Sequence, residues 1–344
     1  LFKQLLIYKL APGWQADFHL MEAALAGLPF TECGSTQAVS MGWVAPRGQA
    51  HGAVLEVVDG HFHATLQIEK KLLPGAVVRR RQEELAKRIE AESGRKPGKK
   101  QQRELKDQAT LELLPRAFTR RGQVRVWLDP VRGRLLMDAG STTLASEVIT
   151  QLVAAFNSEN GLGGFNVLPL HTETSAAVLM RDWLATGEPP AVFTIDQDCE
   201  LKSTDDSKAV VRYARHPLDI DEVKLHLEAG KAPTRLAVTW RSRVSFTLTE
   251  ALALRKINFA DLVFEGRPER SDDGAENFDA DAAIATGELG GLIDDLIECL
   301  GGESQGLQQG AGTAAAASKP AAAPAANQAP IPATGGAVDV APWD

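Results

Sequence analysis

The sequence predicts an α+β protein of antiparallel sheets and packed helices, with one helical hairpin standing off the body. Three observations lead there. Short segments of alternating polarity are joined by tight turns, as at Asp59-Gly60 and through residues 234–259. Longer segments repeat apolar residues at helical spacing, as in residues 143–156 and 288–300. Residues 75–114 read as two helices that are mostly polar and bury little apolar area.

Taken in order, residues 5–10 form a first strand, broken by Pro12-Gly13. Residues 17–28 are helical, with Leu20, Ala24 and Leu28 at helical spacing. Met41-Gly42-Trp43-Val44 follows among glycines and prolines. Strands at 54–58 and 61–68 pair through the Asp59-Gly60 turn. Phe62, Ala64, Leu66 and Ile68 share one face, and His61, His63, Thr65 and Gln67 the other. Pro74-Gly75 opens the first polar helix, with Val78, Gln82, Leu85 and Ile89 on one stripe and Arg81, Arg88 and Arg95 beside it. Residues 93–98 break it, and 99–114 form the second.

Strands at 123–128 and 134–138 flank a turn, with Arg125 and Trp127 opposite Val124, Val126 and Leu128. A helix at 143–156 repeats Leu144, Val148, Leu152 and Ala155. A short strand at 167–170 precedes a helix at 175–185. Short strands are expected at 192–195, 200–202 and 210–213. Asp219 caps a helix running to 229, which Gly230 stops. A meander at 234–240, 244–248 and 254–259 leads to a last helix at 288–300. That helix turns Leu289, Leu292, Ile293, Leu296 and Leu300 inward and Asp294, Asp295 and Glu298 outward. Residues 305–335, mostly Ala, Pro, Gly and Gln, have a composition that stays disordered. The tip, residues 338–344, regains apolar and acidic residues and reads as an inert tail, with a docking peptide as the alternative.

The 344 residues suggest two or three domains, and a hydrophobic content of 44% supports a real core. No run approaches the ~18–20 apolar residues that span a bilayer. The first ten residues include Lys3, Gln4 and Lys9 and lack a cleavage site, so they are not read as a signal peptide. Cys33, Cys199 and Cys299 are far apart, fit no zinc spacing and are expected to be reduced thiols of a cytoplasmic protein.

Charge is the sharpest functional signal. Residues 70–134 hold 19 Lys or Arg and 8 acids, a local net charge of +11, while the whole chain is −8. The remainder therefore carries −19. A compact positive region on an acidic protein is the electrostatic footprint of a polyanion partner. Lys and Arg that displace counterions from DNA phosphates give affinity without base choice. The candidate contacts are Arg79, Arg80, Arg81, Arg88, Lys99 and Lys100 on the helices and Arg116, Arg120 and Arg121 after them. Phe118, set among these arginines, reads as a residue that meets the backbone or stacks on a base, with a core or interface phenylalanine as the alternative. Balanced surface ion pairs are the competing explanation, and the excess of positive charge weighs against it.

Other chemistry is sparse. Phosphate-loop, dinucleotide, G-x-S-x-G and H-E-x-x-H motifs are absent, and no cofactor is expected. His61 and His63 share a strand face, as a metal half-site would, but no third ligand accompanies them; they are read as exposed polar residues. The acids Asp272, Asp273, Glu276, Asp279 and Asp281 are the best candidate for a carboxylate metal site of a nuclease. They are read instead as a solvated loop in which Asp279 or Asp281 caps the next segment.

Several collinear pieces resemble one family, the bacterial recombination-associated protein RdgC. They are FTECGS at 30–35 and MGWVAP at 41–46, EKKLLP at 69–74, LLPRAF at 113–118, LEAGK at 227–231 with LAVTW at 236–240, and FDADAAIATGEL at 278–289 with LGGE at 300–303. The resemblance spans residues 1–303. It implies an α+β protein divided into a central region (1–74 and 115–170), a tip formed by the hairpin (75–114) and a base (171–303). The tail (304–344) lies outside it. It further implies a closed, two-fold ring homodimer with a positive hole wide enough for duplex DNA. Such a protein binds duplex DNA, and single strands secondarily, with little sequence preference. It limits access of the recombinase RecA, is not an enzyme and works at the nucleoid in the cytoplasm. A role near the DNA path carries to Arg116 and Phe118 through LLPRAF, and more loosely to Arg215.

Overall fold

The computed structural model describes residues 1–49, 51–158, 162–265 and 274–304, with the backbone alone at 274–276. The described residues form an α+β fold of two antiparallel sheets and seven α-helices. The first sheet holds β1 (Leu6–Leu10), β2 (Val39–Val44), β3 (Leu55–Val58), β4 (His61–Lys71), β5 (Thr119–Asp129), β6 (Arg134–Met137) and β7 (Val167–Pro169). β4 is its spine. One edge pairs with β5 from Phe62–Leu128 to Lys71–Thr119. β3 and β2 share the other edge end to end. β6, β1 and β7 continue the sheet beyond β5. Asp59 and Gly60 both take positive φ, 48° and 78°, as a tight hairpin turn between twisted strands requires.

Both faces of β4 are covered. Ala64, Leu66 and Ile68, with Val124, Val126 and Leu128 of β5, face α1 (Phe18–Ala26) and α4 (Thr142–Phe156). His61, His63 and Trp127 turn the other way, toward α7 (Gly274–Cys299). The expectation of two exposed histidines therefore fails. His63 is only 5% exposed and meets Phe278 edge-on at 6.0 Å, and His61 lies 5.5 Å from Trp127. A central strand packed on both sides has no wet face. The register of α1 also differs from expectation. Asp17 caps it by accepting from the Leu20 N–H at 3.0 Å, and the buried pair is Met21 and Leu25, while Leu20 and Leu28 are exposed. The apolar stripe is turned by one residue because Met21 and Leu25 are the pair that falls over the sheet.

Gly42 answers a close approach. A Cβ there would sit 2.3 Å from the Phe30 Cα. The segment before β2 crosses it at that point, with the Phe30 N–H donating to the Trp43 carbonyl at 3.1 Å.

The second sheet runs β12 (Leu254–Phe259), β11 (Val244–Thr249), β10 (Lys231–Trp240), β8 (Phe193–Ser203), β9 (Val210–Tyr213). The two short strands expected at 192–202 are one strand, β8, with register shifts against β10. Asp196, which looks like a break, sits on the strand and accepts from the Thr239 hydroxyl at 3.0 Å. Ser175 caps α5 (Ala176–Thr186), and Gly187 ends it at φ 73°. Asp219 does not cap α6 (Asp221–Glu228). Ile220 takes the cap position because its side chain packs on the core, leaving Asp219 to face Lys224 at 3.7 Å.

Leu5 and Leu254 exchange backbone hydrogen bonds of 2.8 and 3.0 Å, joining the sheets. One apolar cluster then runs from Phe2, Trp127 and Leu136 through Leu289, Leu292 and Leu296 of α7 to Phe246 and Trp240. α7 starts well before residue 288. The acidic run from residue 274 onward is helix rather than loop, since Ala282 and Ala285 give it a buried stripe. Gly290 and Gly291 permit contact with Arg132 and Trp240, which an added Cβ would meet at 3.4 and 3.3 Å. Two of its outward acids are partnered: Asp294 with Arg132 (2.7 Å) and Arg134 (2.6 Å), Asp295 with the Trp240 Nε1–H (2.7 Å) and Arg241 (2.9 Å). The three cysteines are free thiols, and burial pushes that of Cys199 up to about 12. Among the described residues no helix is long and apolar enough to cross a membrane. Asp272, Asp273, the Glu276 side chain and residues 305–344, including the expected disordered segment and its tip, lie outside the described residues.

Candidate nucleic-acid interface

Between β4 and β5 the chain forms α2 (Gly75–Ser93) and α3 (Lys99–Leu113). Pro74 stands at the first N-cap, Gly94 ends α2 at φ 69°, and Gly98 precedes α3. A single 3₁₀ turn (Leu114–Arg116) leads into β5. The helices pack on each other through Val78, Leu85, Leu105 and Ala109, flanked by Leu73, Ala86, Ile89 and Leu113. Two polar contacts cross this seam: the Gln82 amide donates to the Gln102 carbonyl at 2.9 Å, and Arg81 meets Glu112 at 2.7 Å. So small a seam leaves most of both helix surfaces to solvent.

The cations of α2, α3 and the link between them differ in their partners. Arg79, Lys87, Arg88, Arg95, Lys96, Lys99, Lys100, Arg103 and Lys106 are exposed, and among the described residues none makes an ion pair. Arg80 is equally exposed and touches Glu84 at 3.4 Å. Arg81 is clamped by Glu112 and Glu84, which hold its guanidinium above the usual range.

At the root of the pair, Phe118 is 86% exposed, with Arg116 and Arg120 exposed beside it. Arg120 lies directly across from Lys70, a like-charge pair that disfavours the ladder locally. Lys70 leans toward Glu147 at 3.6 Å. Arg121 has another role. Its Nε donates to Glu69 at 2.8 Å, it pairs with Glu32, and it lies over the Phe30 ring at 5.7 Å. The Cys33 N–H donates to the same Glu69 at 2.6 Å; that bond, then Arg121, holds the carboxyl below the usual carboxylate range. Arg132 and Arg134 are held by Asp294 of α7. Arg215 belongs to the other sheet, in left-handed backbone (φ 54°) after β9, with its N–H donating to Asp198 at 2.9 Å.

The structure thus gathers Arg79, Arg80, Arg81, Arg88, Lys99 and Lys100 on one helix pair, and Arg116, Phe118, Arg120 and Arg121 at its root. Arg215 stands apart. The candidate set passed over Lys106. It has no acid at three or four positions to either side, a pattern that leaves a helical lysine without a partner.

The acidic run is differently occupied. Asp279 receives both guanidinium nitrogens of Arg47, at 2.7 and 3.2 Å, and Arg47 also meets Glu56 at 2.9 Å. Asp281 lines a pocket of about 240 Å³ with His63 and Arg125. Burial, then His61, pushes the His63 imidazole down to about 4, so it is neutral near pH 7. No group of three metal-ligating side chains occurs among the described residues.

The described residues form an α+β protein of two antiparallel sheets with a basic helix pair between β4 and β5. The family model for RdgC, described as "Putative exonuclease, RdgC", matches residues 1–303. Proteins named "Recombination-associated protein RdgC" align along nearly their whole length. That of Dechloromonas aromatica is 44% identical over 305 residues, covering 88% of this chain and 98% of the relative. Those of Cupriavidus pinatubonensis and Herminiimonas arsenicoxydans are 43% and 42% identical, with the same coverage. The chain belongs to the RdgC family.

Proposed function

We propose that this protein binds DNA without regard to sequence, encircling duplex DNA as a two-fold ring of identical subunits and limiting the access of RecA during recombination. Single-stranded DNA is a second, weaker partner. The helix pair stands off the body as the tip, the second sheet belongs to the base, and the protein works at the nucleoid in the cytoplasm. One observation carries the reading: exposed cations that pair with no described carboxylate crowd the helix pair of a protein that is otherwise acidic. Phosphates supply the missing countercharge, and the acidic remainder repels DNA from other approaches.

The family model's description raises a second reading, a metal-dependent exonuclease using the carboxylates between Asp272 and Asp281. Asp279 spends both oxygens on Arg47, which favours binding without cleavage.

Titrating unrelated duplexes at rising salt tests the proposal. Affinity falls steeply for all of them, with a slope of about −0.9 per neutralised phosphate in log K against log salt. The triple change R79A/R80A/R88A weakens every duplex alike. Salt-indifferent binding, or loss at one sequence only, overturns the reading. Shortened DNA after incubation with magnesium or manganese, abolished by D279A, would establish the exonuclease.

A further inference from the structure

Where the end of β4, the start of α2 and the last turns of α3 meet, they enclose a groove of about 470 Å³. Its floor is apolar, made by Leu73, Val78 and Leu114. Lys71 enters from β4, Arg79 from α2 and Lys106 from α3, and among the described residues no carboxylate lines the groove. None of the three makes an ion pair with a described residue, although the Lys71 ammonium donates to the Ser35 carbonyl at 2.7 Å. Cations brought together from separate elements repel one another, and an anion placed between them reverses the sign of the interaction. A phosphodiester suits this groove, because its two anionic oxygens accept from ammonium and guanidinium groups together while its sugar is largely apolar.

We propose that this groove is a phosphate site, in which Lys71, Arg79 and Lys106 converge on one backbone phosphate of bound DNA with the adjoining sugar against Leu73 and Val78. The inference rests on the DNA binding proposed for this protein and states where along the helix pair the backbone is gripped. Lys71 and Lys106 stand outside the candidate contacts read from sequence. Lys87, Arg95 and Lys96, toward the far end of the pair, remove the same charge when changed and belong to no such groove.

The test compares K71A/R79A/K106A with K87A/R95A/K96A in the full chain, using a fluorescein-labelled duplex over a range of salt. The groove variant loses about tenfold in affinity or more, and its salt slope falls by about 1, the value for one phosphate. The far variant loses much less. The single changes K71A, R79A and K106A each forfeit most of the triple's loss, because groups that share a partner are not additive. Equal losses in the two triples, or additive singles, overturn the groove and leave DNA binding standing. A wild-type chain that fails to bind the duplex overturns the underlying reading as well. If the alanine triple does not fold, K71Q/R79Q/K106Q gives the same comparison with the side-chain bulk retained.

Discussion

The helix pair and the sheet body use arginine to opposite ends. In the body three guanidiniums are spent on carboxylates from distant parts of the chain: Arg47 on Asp279, Arg121 on Glu69, Arg134 on Asp294 and Glu303. On α2 and α3 most cations are exposed and pair with no described carboxylate. The basic count over residues 70–134 therefore merges two populations, and only one of them is available to a polyanion.

That contrast can be broken most forcefully at Arg134, which is 7% exposed and ties β6 to α7. Arg134→Ala removes a nearly buried side chain together with its ion pairs to Asp294 and Glu303, which keep Arg132 and Lys9 as partners, and is expected to lower the unfolding free energy by about 3 kcal/mol in a denaturant titration. DNA affinity per folded molecule should not change. Within the helix pair, Leu105→Ala empties much of a small cluster, at a cost of about 2.5 kcal/mol. Amide hydrogen exchange should show the loss over α2 and α3 while the sheets keep their protection.

Acid sharpens the contrast. The folded His63 titrates near 4 and the unfolded one near 6.5, so the unfolded chain binds more protons between those values. Stability is full above about pH 6.5 and falls with pH down to about 4, by about 2 kcal/mol at pH 5. His63→Gln should flatten that part of a plot of stability against pH and leave DNA affinity at neutral pH intact. The smallest effect is expected at Arg121. With its guanidinium held by Glu69 and Glu32, Arg121→Ala leaves the salt slope of DNA binding unchanged, whereas Arg79→Ala lowers it by about 1.

Legibility in the sequence follows the same division. α2 and α3 could be placed closely because Pro74, Gly94 and Gly98 punctuate them and local periodicity decides the rest. The start of α7 was hidden, since its acidic residues and Gly287 imitate a loop until Ala282 and Ala285 are seen to be buried. β8 looked like two strands because Asp196 finds its partner, Thr239, on a strand far along the chain. His61 and His63 looked solvent-facing because the helix that covers them comes more than 200 residues later. For the site, composition gave the sign and the neighbourhood of the charge. It could not separate Arg79 from Arg121, because Glu32 and Glu69 become neighbours of Arg121 only through β4, β5 and the segment that crosses at Gly42.

Lys71 and Thr119 are direct partners across β4 and β5, so everything between them hangs from the mouth of a single hairpin. A short turn could close the same ladder, with the register upstream of it untouched. The basic helix pair is thus an insertion between two partnered strands, so its charge can change while the ladder that carries it keeps its register.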